Sequence, residues 1–176
     1  MQVIAQVVRG SIETSPGTVV VDANPSQRIH VDNVKAAQWV RDHALPDDVV
    51  LTNVFCANGP SDAGQGCDNR TFWVAAYSER RTYLSGWGYT ATANRLAAEA
   101  DVVNAWQAPF WDQAKMARVR GFLASPTLRG AREFADQGVR WILVAPGFDE
   151  ASPALSEVAD LEHRVKGTLV YRLRTE

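Results

Sequence analysis

"VRWILVAP", residues 139–146, is the stretch that decides the fold. It is an apolar, β-branched run of strand length, interrupted only by Arg140, and it ends at a proline. Gly138 stands immediately before it, placed to cap a helix whose buried positions are Leu128, Ala131, Phe134 and Ala135. A helix that stops at a glycine and feeds straight into a buried strand is one αβ unit. Another strand, "DVVLTN" at 48–53, has an unbroken apolar centre that needs cover on both faces, which points to a parallel, helix-flanked sheet.

Working upstream, the helix over 128–135 follows Ser125-Pro126, with Pro126 expected at its first position. Before it, Asp112 is a helix cap, and Met116, Val119 and Leu123 share one face. Residues 93–105 read as helical, 85–92 as a loop, 80–84 as a strand and 71–79 as a short helix with Asn69 or Thr71 near its cap. "DVVLTN", 48–53, is a second strand with an apolar centre. The helix before it starts at the cap Asp32, runs to about residue 44 and buries Val34, Ala37, Val40 and Ala44. Asp47 and Asp48 punctuate the turn between them. Residues 18–22 read as a strand, and 1–17 as a linker rather than a signal peptide, since no basic start or cleavage site is present. Downstream, Ser152-Pro153 opens a short helix, and the chain ends in a hairpin around Lys166-Gly167. The whole predicts a three-layer α/β/α sandwich over 1–176. Its sheet is expected to be largely parallel, with the C-terminal hairpin antiparallel at one edge.

Composition narrows the function. The chain has 176 residues, 46% hydrophobic and 22% charged, with a formal net charge of -2. Scattered Lys and Arg on a weakly acidic chain argue against nucleic acid. No apolar run reaches the ~20 residues of a membrane helix. G-x-G-x-x-G, P-loop and G-x-S-x-G signatures are absent, so no cofactor and no catalytic residue is assigned. His30, His43 and His163 do not fall at ligand spacing with the cysteines, so no metal site is assigned either.

Three constellations remain. Cys56 and Cys67, the only cysteines, bracket a loop containing Gly59, Gly64 and Gly66. A disulfide is the expected state, implying an oxidising, extracytoplasmic setting. The competing readings are two free thiols, or metal or catalytic chemistry. Asp68, Arg70, Glu79, Arg80 and Arg81 form a charged group around the short helix. It reads either as an anion or sugar site or, more simply, as solvated ion pairs flanking that helix. An aromatic belt runs from Trp73 to Trp111. Trp73 and Tyr77 belong to the core by their helical spacing, leaving Trp87 and Tyr89 in a glycine-rich loop as candidates for ligand contact. The candidate ligand-binding set is therefore Asp68, Arg70, Arg81, Trp87 and Tyr89, at the sheet edge beside the cysteine loop.

"VKAAQWVRDHALPDDVVLTN", "CDNRTFWVAAYSERRTYLSGWGYT", "FLASPTLRGAREFADQGVRWILVAP" and the terminal "GTLVYRL" together resemble the soluble C-terminal domain of large bacterial polytopic membrane proteins. Their architecture is similar to that of GT-C, oligosaccharyltransferase-like glycosyltransferases. The resemblance spans most of residues 30–173. It implies a non-catalytic domain on the extracytoplasmic face of the membrane, orienting a glycan, a lipid-linked sugar or an acceptor, or simply packing on the membrane-embedded part of the same polypeptide. In such proteins catalysis depends on acidic residues of the membrane part, which this sequence does not contain. The W-W-D-Y-G acceptor motif is matched only in fragments, by "GWGYT" and "FWD", so no catalytic residue carries over. A free-standing small-molecule-binding α/β domain is the alternative, with its ligand at the C-terminal ends of the parallel strands. A hydrolytic enzyme is a third reading that no motif supports.

Overall fold

The computed structural model describes residues 18–20, 28–60, 67–99 and 105–175. The linker expected over 1–17 lies outside them, as does the 100–104 end of the helix expected over 93–105. A two-stranded antiparallel pair, β1 (Thr18–Val20) and β2 (Arg28–His30), precedes the main sheet. That sheet is built from β3 (Val49–Thr52), β4 (Arg81–Thr82), β5 (Val139–Val144), β6 (Ala159–Val165) and β7 (Thr168–Leu173) in the order β4-β3-β5-β7-β6. β4, β3 and β5 are parallel, while the β6–β7 hairpin joins β5 antiparallel and forms the far edge.

Helices cover both faces. On one lie α1 (Val31–His43) and α2 (Trp73–Ser78), packed with Val50 of β3, Trp141 and Leu143 of β5, and Val170 of β7. On the other lie α3 (Ala91–Glu99), α4 (Gln113–Ala124), α5 (Leu128–Ala135) and a 3₁₀ turn at Pro153–Glu157, packed with Leu51, Ile142 and Tyr171. Successive residues of each central strand thus serve opposite cores, which explains why β3 is apolar at every central position. This is the three-layer α/β/α sandwich the strand pattern calls for.

Local chemistry sets the joints. Asp48 accepts hydrogen bonds from the Leu45 amide (3.0 Å) and from Trp141 Nε1 (2.9 Å), closing the turn between α1 and β3. Asp112 caps α4 through the Lys115 amide at 2.8 Å. Gly138 adopts φ 84°, the left-handed geometry that lets α5 turn directly into β5. Two caps differ from expectation. His30 rather than Asp32 precedes α1, with Asp32 inside the first turn, where its carboxylate meets His30 Nδ1 at 2.9 Å and Lys166 Nζ at 3.1 Å. Thr127 rather than Pro126 opens α5, because its hydroxyl accepts from the Gly130 amide at 3.1 Å and proline has no comparable acceptor.

Candidate functional site

The C-terminal ends of β3 and β4 carry the site, and backbone satisfaction explains its shape. Past β3 the chain runs Asn53-Val54-Phe55-Cys56, all buried. The Val54 and Phe55 carbonyls are taken by side chains from two later segments. Thr71 Oγ1 donates to the Phe55 carbonyl at 3.2 Å, and Ser85 Oγ lies 3.3 Å from the Val54 carbonyl and 2.7 Å from that of Thr71. Residues 53–56, 69–71 and 85–86 are thereby sewn into one rim. Cys56 and Cys67 sit at disulfide distance within it, Sγ–Sγ 1.99 Å and Cα–Cα 5.1 Å. Beside them Ala57 donates to the Asp68 carbonyl at 2.6 Å, and the Asp68 amide donates to Asn58 Oδ1 at 3.0 Å.

Asp68 and Arg70 then face each other. Arg70 Nε and Nη2 donate to the two carboxylate oxygens of Asp68 at 2.8 and 2.7 Å, a bidentate pair with both side chains mostly buried. The Arg70 guanidinium lies over the Trp106 ring at 4.9 Å. The hydrogen-bonded Asp68 carboxylate holds the Arg70 pKa above its usual value against the opposing effect of burial, and the neighbouring Tyr89 acts in the same direction.

A 3₁₀ turn at Trp87–Tyr89 supplies the aromatic part. With about three residues per turn, positions 87 and 89 point different ways. Trp87 turns inward, 4% exposed, tilted against Phe110 with its Nε1 donating to the Ala108 carbonyl at 3.0 Å. Tyr89 turns outward, 63% exposed, stacked on Phe72 with ring centroids 5.5 Å apart. Asn69, fully buried, holds the 105–108 segment through bonds to the Ala105 and Ala108 carbonyls at 3.3 and 3.2 Å.

Of the five expected ligand contacts the structure therefore brings Asp68, Arg70 and Tyr89 together. Trp87 is a core residue whose indole is already satisfied. Arg81 lies at the start of β4, at the opposite end of the parallel strands, where it reaches the Asp47 carbonyl at 3.4 Å. The reason is topological. Asp68 and Arg70 precede α2, whereas Glu79, Arg80 and Arg81 follow it, and that connection carries the chain from the C-terminal ends of the parallel strands back to their starts. There Arg80 Nη2 donates to the Arg41 and Ala44 carbonyls at 3.0 and 2.6 Å, capping α1.

Phe72 was not singled out by sequence reasoning. Its signal was Gly86, whose φ of 59° and whose position under the ring leave no room for a side chain: a Cβ there would stand 2.5 Å from Phe72 Cδ1. The switch point between β3 and β5, where ligands of open α/β sheets bind, is occupied by Asn53. Its amide donates to the Ala145 and Asp149 carbonyls (2.9 and 2.7 Å) and accepts from the Ala145 amide (2.9 Å). Comparison with family models, curated proteins and solved structures finds no match.

Proposed function

We propose that this chain is a non-catalytic extracytoplasmic domain of a membrane protein resembling a GT-C glycosyltransferase, where it holds a glycan or acceptor for the membrane-embedded part of the same polypeptide. The observation that carries the reading is the Cys56–Cys67 pair at disulfide distance, since such bonds persist in oxidising compartments. The polar rim supports a holding role. Its strongest charges, Asp68 with Arg70 and Arg120 with Asp149 at 3.0 Å, are engaged with each other rather than poised for acid–base work. Among the described residues no helix is long and apolar enough to cross a membrane, so anchoring and transfer chemistry fall to other segments of the parent.

The test is made in source cells with an antibody to this chain. The expected outcome is a polypeptide much longer than 176 residues that sediments with membranes and loses the epitope to protease added outside intact spheroplasts. A soluble cytoplasmic protein of this length overturns the reading. That second outcome favours a free-standing small-molecule-binding domain, for which an apolar groove of about 330 Å³ gives specific support. Val144, Leu155, Leu161, Leu169 and Tyr171 line it, with Arg164 at hand for an anionic end. Octanoate should then raise the thermal midpoint of the protein, and Leu161→Arg should remove the effect.

A further inference from the structure

We infer that the open face of Tyr89 is a platform for one ring of a neutral sugar, backed by Phe72 and flanked by the Asp68–Arg70 pair. The inference rests on the glycan-holding reading above and narrows it to a ligand class and a set of residues.

Exposed tyrosines ordinarily turn freely, and fixing one on binding costs rotamer entropy. Tyr89 is fixed in advance. Phe72 stacks on one of its faces at 26° between ring planes. Phe72 in turn rests against the bare backbone of Gly86. On its other side Tyr89 neighbours Arg70, which is itself gripped by Asp68 at two points and laid over Trp106. The outcome is a ring 63% exposed yet packed on one of its faces. A flat, rigid, solvent-facing π surface suits a ligand that is itself flat and carries C–H groups on one side.

Charge separates a sugar from a phosphate. An anion would have to compete for Arg70 with a bidentate carboxylate that is only 14% exposed. A pair of zero net charge instead offers acceptors and donors together, which is what hydroxyl groups require. The groove at Leu161 lacks this combination, having aliphatic walls and no exposed aromatic ring.

The experiment is an amide NMR titration of the 176-residue chain with maltotriose, triacetylchitotriose, 3'-sialyllactose, farnesyl phosphate and a decaproline peptide. At least one neutral trisaccharide is expected to shift the Phe72, Gly88 and Tyr89 amides. Tyr89→Ala should weaken that binding roughly tenfold, the order of one lost aromatic contact, whereas Tyr89→Trp should keep it. Tyr89→Ala should leave the thermal midpoint nearly unchanged, since that side chain is mostly outside the core. Farnesyl phosphate binding that survives Tyr89→Ala, decaproline as the sole ligand, or no shift with any probe each overturns the sugar platform. None of these touches the membrane-fractionation result, so the domain reading stands or falls separately.

Discussion

Asn53 ends the central strand with its whole amide engaged, and it shows how single residues set this rim. Its three bonds to Ala145 and Asp149 tie the loop after β3 to the loop after β5. Asn53→Ala removes those three bonds from a position that is 2% exposed. With roughly 1 kcal/mol for each, the loss should be about 3 kcal/mol, read as a lower urea midpoint at unchanged slope. Gly86 is the second such residue. Gly86→Ala meets both a left-handed backbone, φ 59°, and the Phe72 ring. Gly147 has φ 83° with nothing within 4 Å of a Cβ, so Gly147→Ala carries the backbone cost alone, about 1 kcal/mol. Gly86→Ala should cost measurably more than Gly147→Ala in parallel urea titrations, and equal losses would mean that Phe72 moves aside freely.

At the scale of elements, the tie between Cys56 and Cys67 bears on the stability of the rim. Cys56 and Cys67 are 11 residues apart, and closing such a loop removes about 2 to 3 kcal/mol of unfolded-state entropy. Reduction should lower the unfolding free energy by that amount, read as a lower thermal midpoint, and loosen Asp68 and with it Arg70. Hydrogen exchange at 67–71 measures the second effect. A midpoint indifferent to reductant would show that the thiols are not joined. The elements themselves were unequally legible in the sequence. β5 and its preceding helix were readable because periodicity, a glycine and a proline agree there. The hairpin was readable from Lys166-Gly167, where Lys166 takes φ 51°. β4 was expected over 80–84 and spans only Arg81–Thr82. After Thr82 the chain leaves the ladder, with Leu84 entering the core and Ser85 turning to the rim. The platform was legible only in part. Exposure of Tyr89 followed from a glycine-rich loop, but the inward turn of Trp87 and the partnership with Phe72 depend on tertiary contacts that no local pattern encodes. The separation of Arg81 from Arg70 follows from the crossover through α2, which became decisive only once the sheet order was known.

For the whole molecule, the two cores share one sheet only one strand thick. Val50, Trp141 and Leu143 serve the α1–α2 side while Leu51 and Ile142, their immediate neighbours, serve the α4–α5 side. Neither core can open without tearing the strands that close the other, so the layers should melt together. The tryptophans make this measurable. Trp39, Trp73 and Trp141 report the α1–α2 side, and Trp87 the other. Removing the first group by Trp39→Phe, Trp73→Phe and Trp141→Phe substitutions leaves fluorescence weighted to the opposite layer. The urea transition of that variant, followed by fluorescence and by far-ultraviolet circular dichroism, should coincide. Ile142→Asp supplies the stronger challenge. The position is fully buried at the centre of β5, and an unpaired charge there should cost several kcal/mol, on the order of 3 to 5. The substitution lies in the α4–α5 core, yet Trp39 and Trp141 on the far face should lose their native emission at the same lowered urea concentration as Trp87. If the far-face signal keeps its original midpoint, the layers are separable and β5 is not the shared wall its alternating burial makes it. Coincident loss would tie the stability of the Tyr89 platform, which hangs from the α4–α5 side of the rim, to packing on both faces of the sheet.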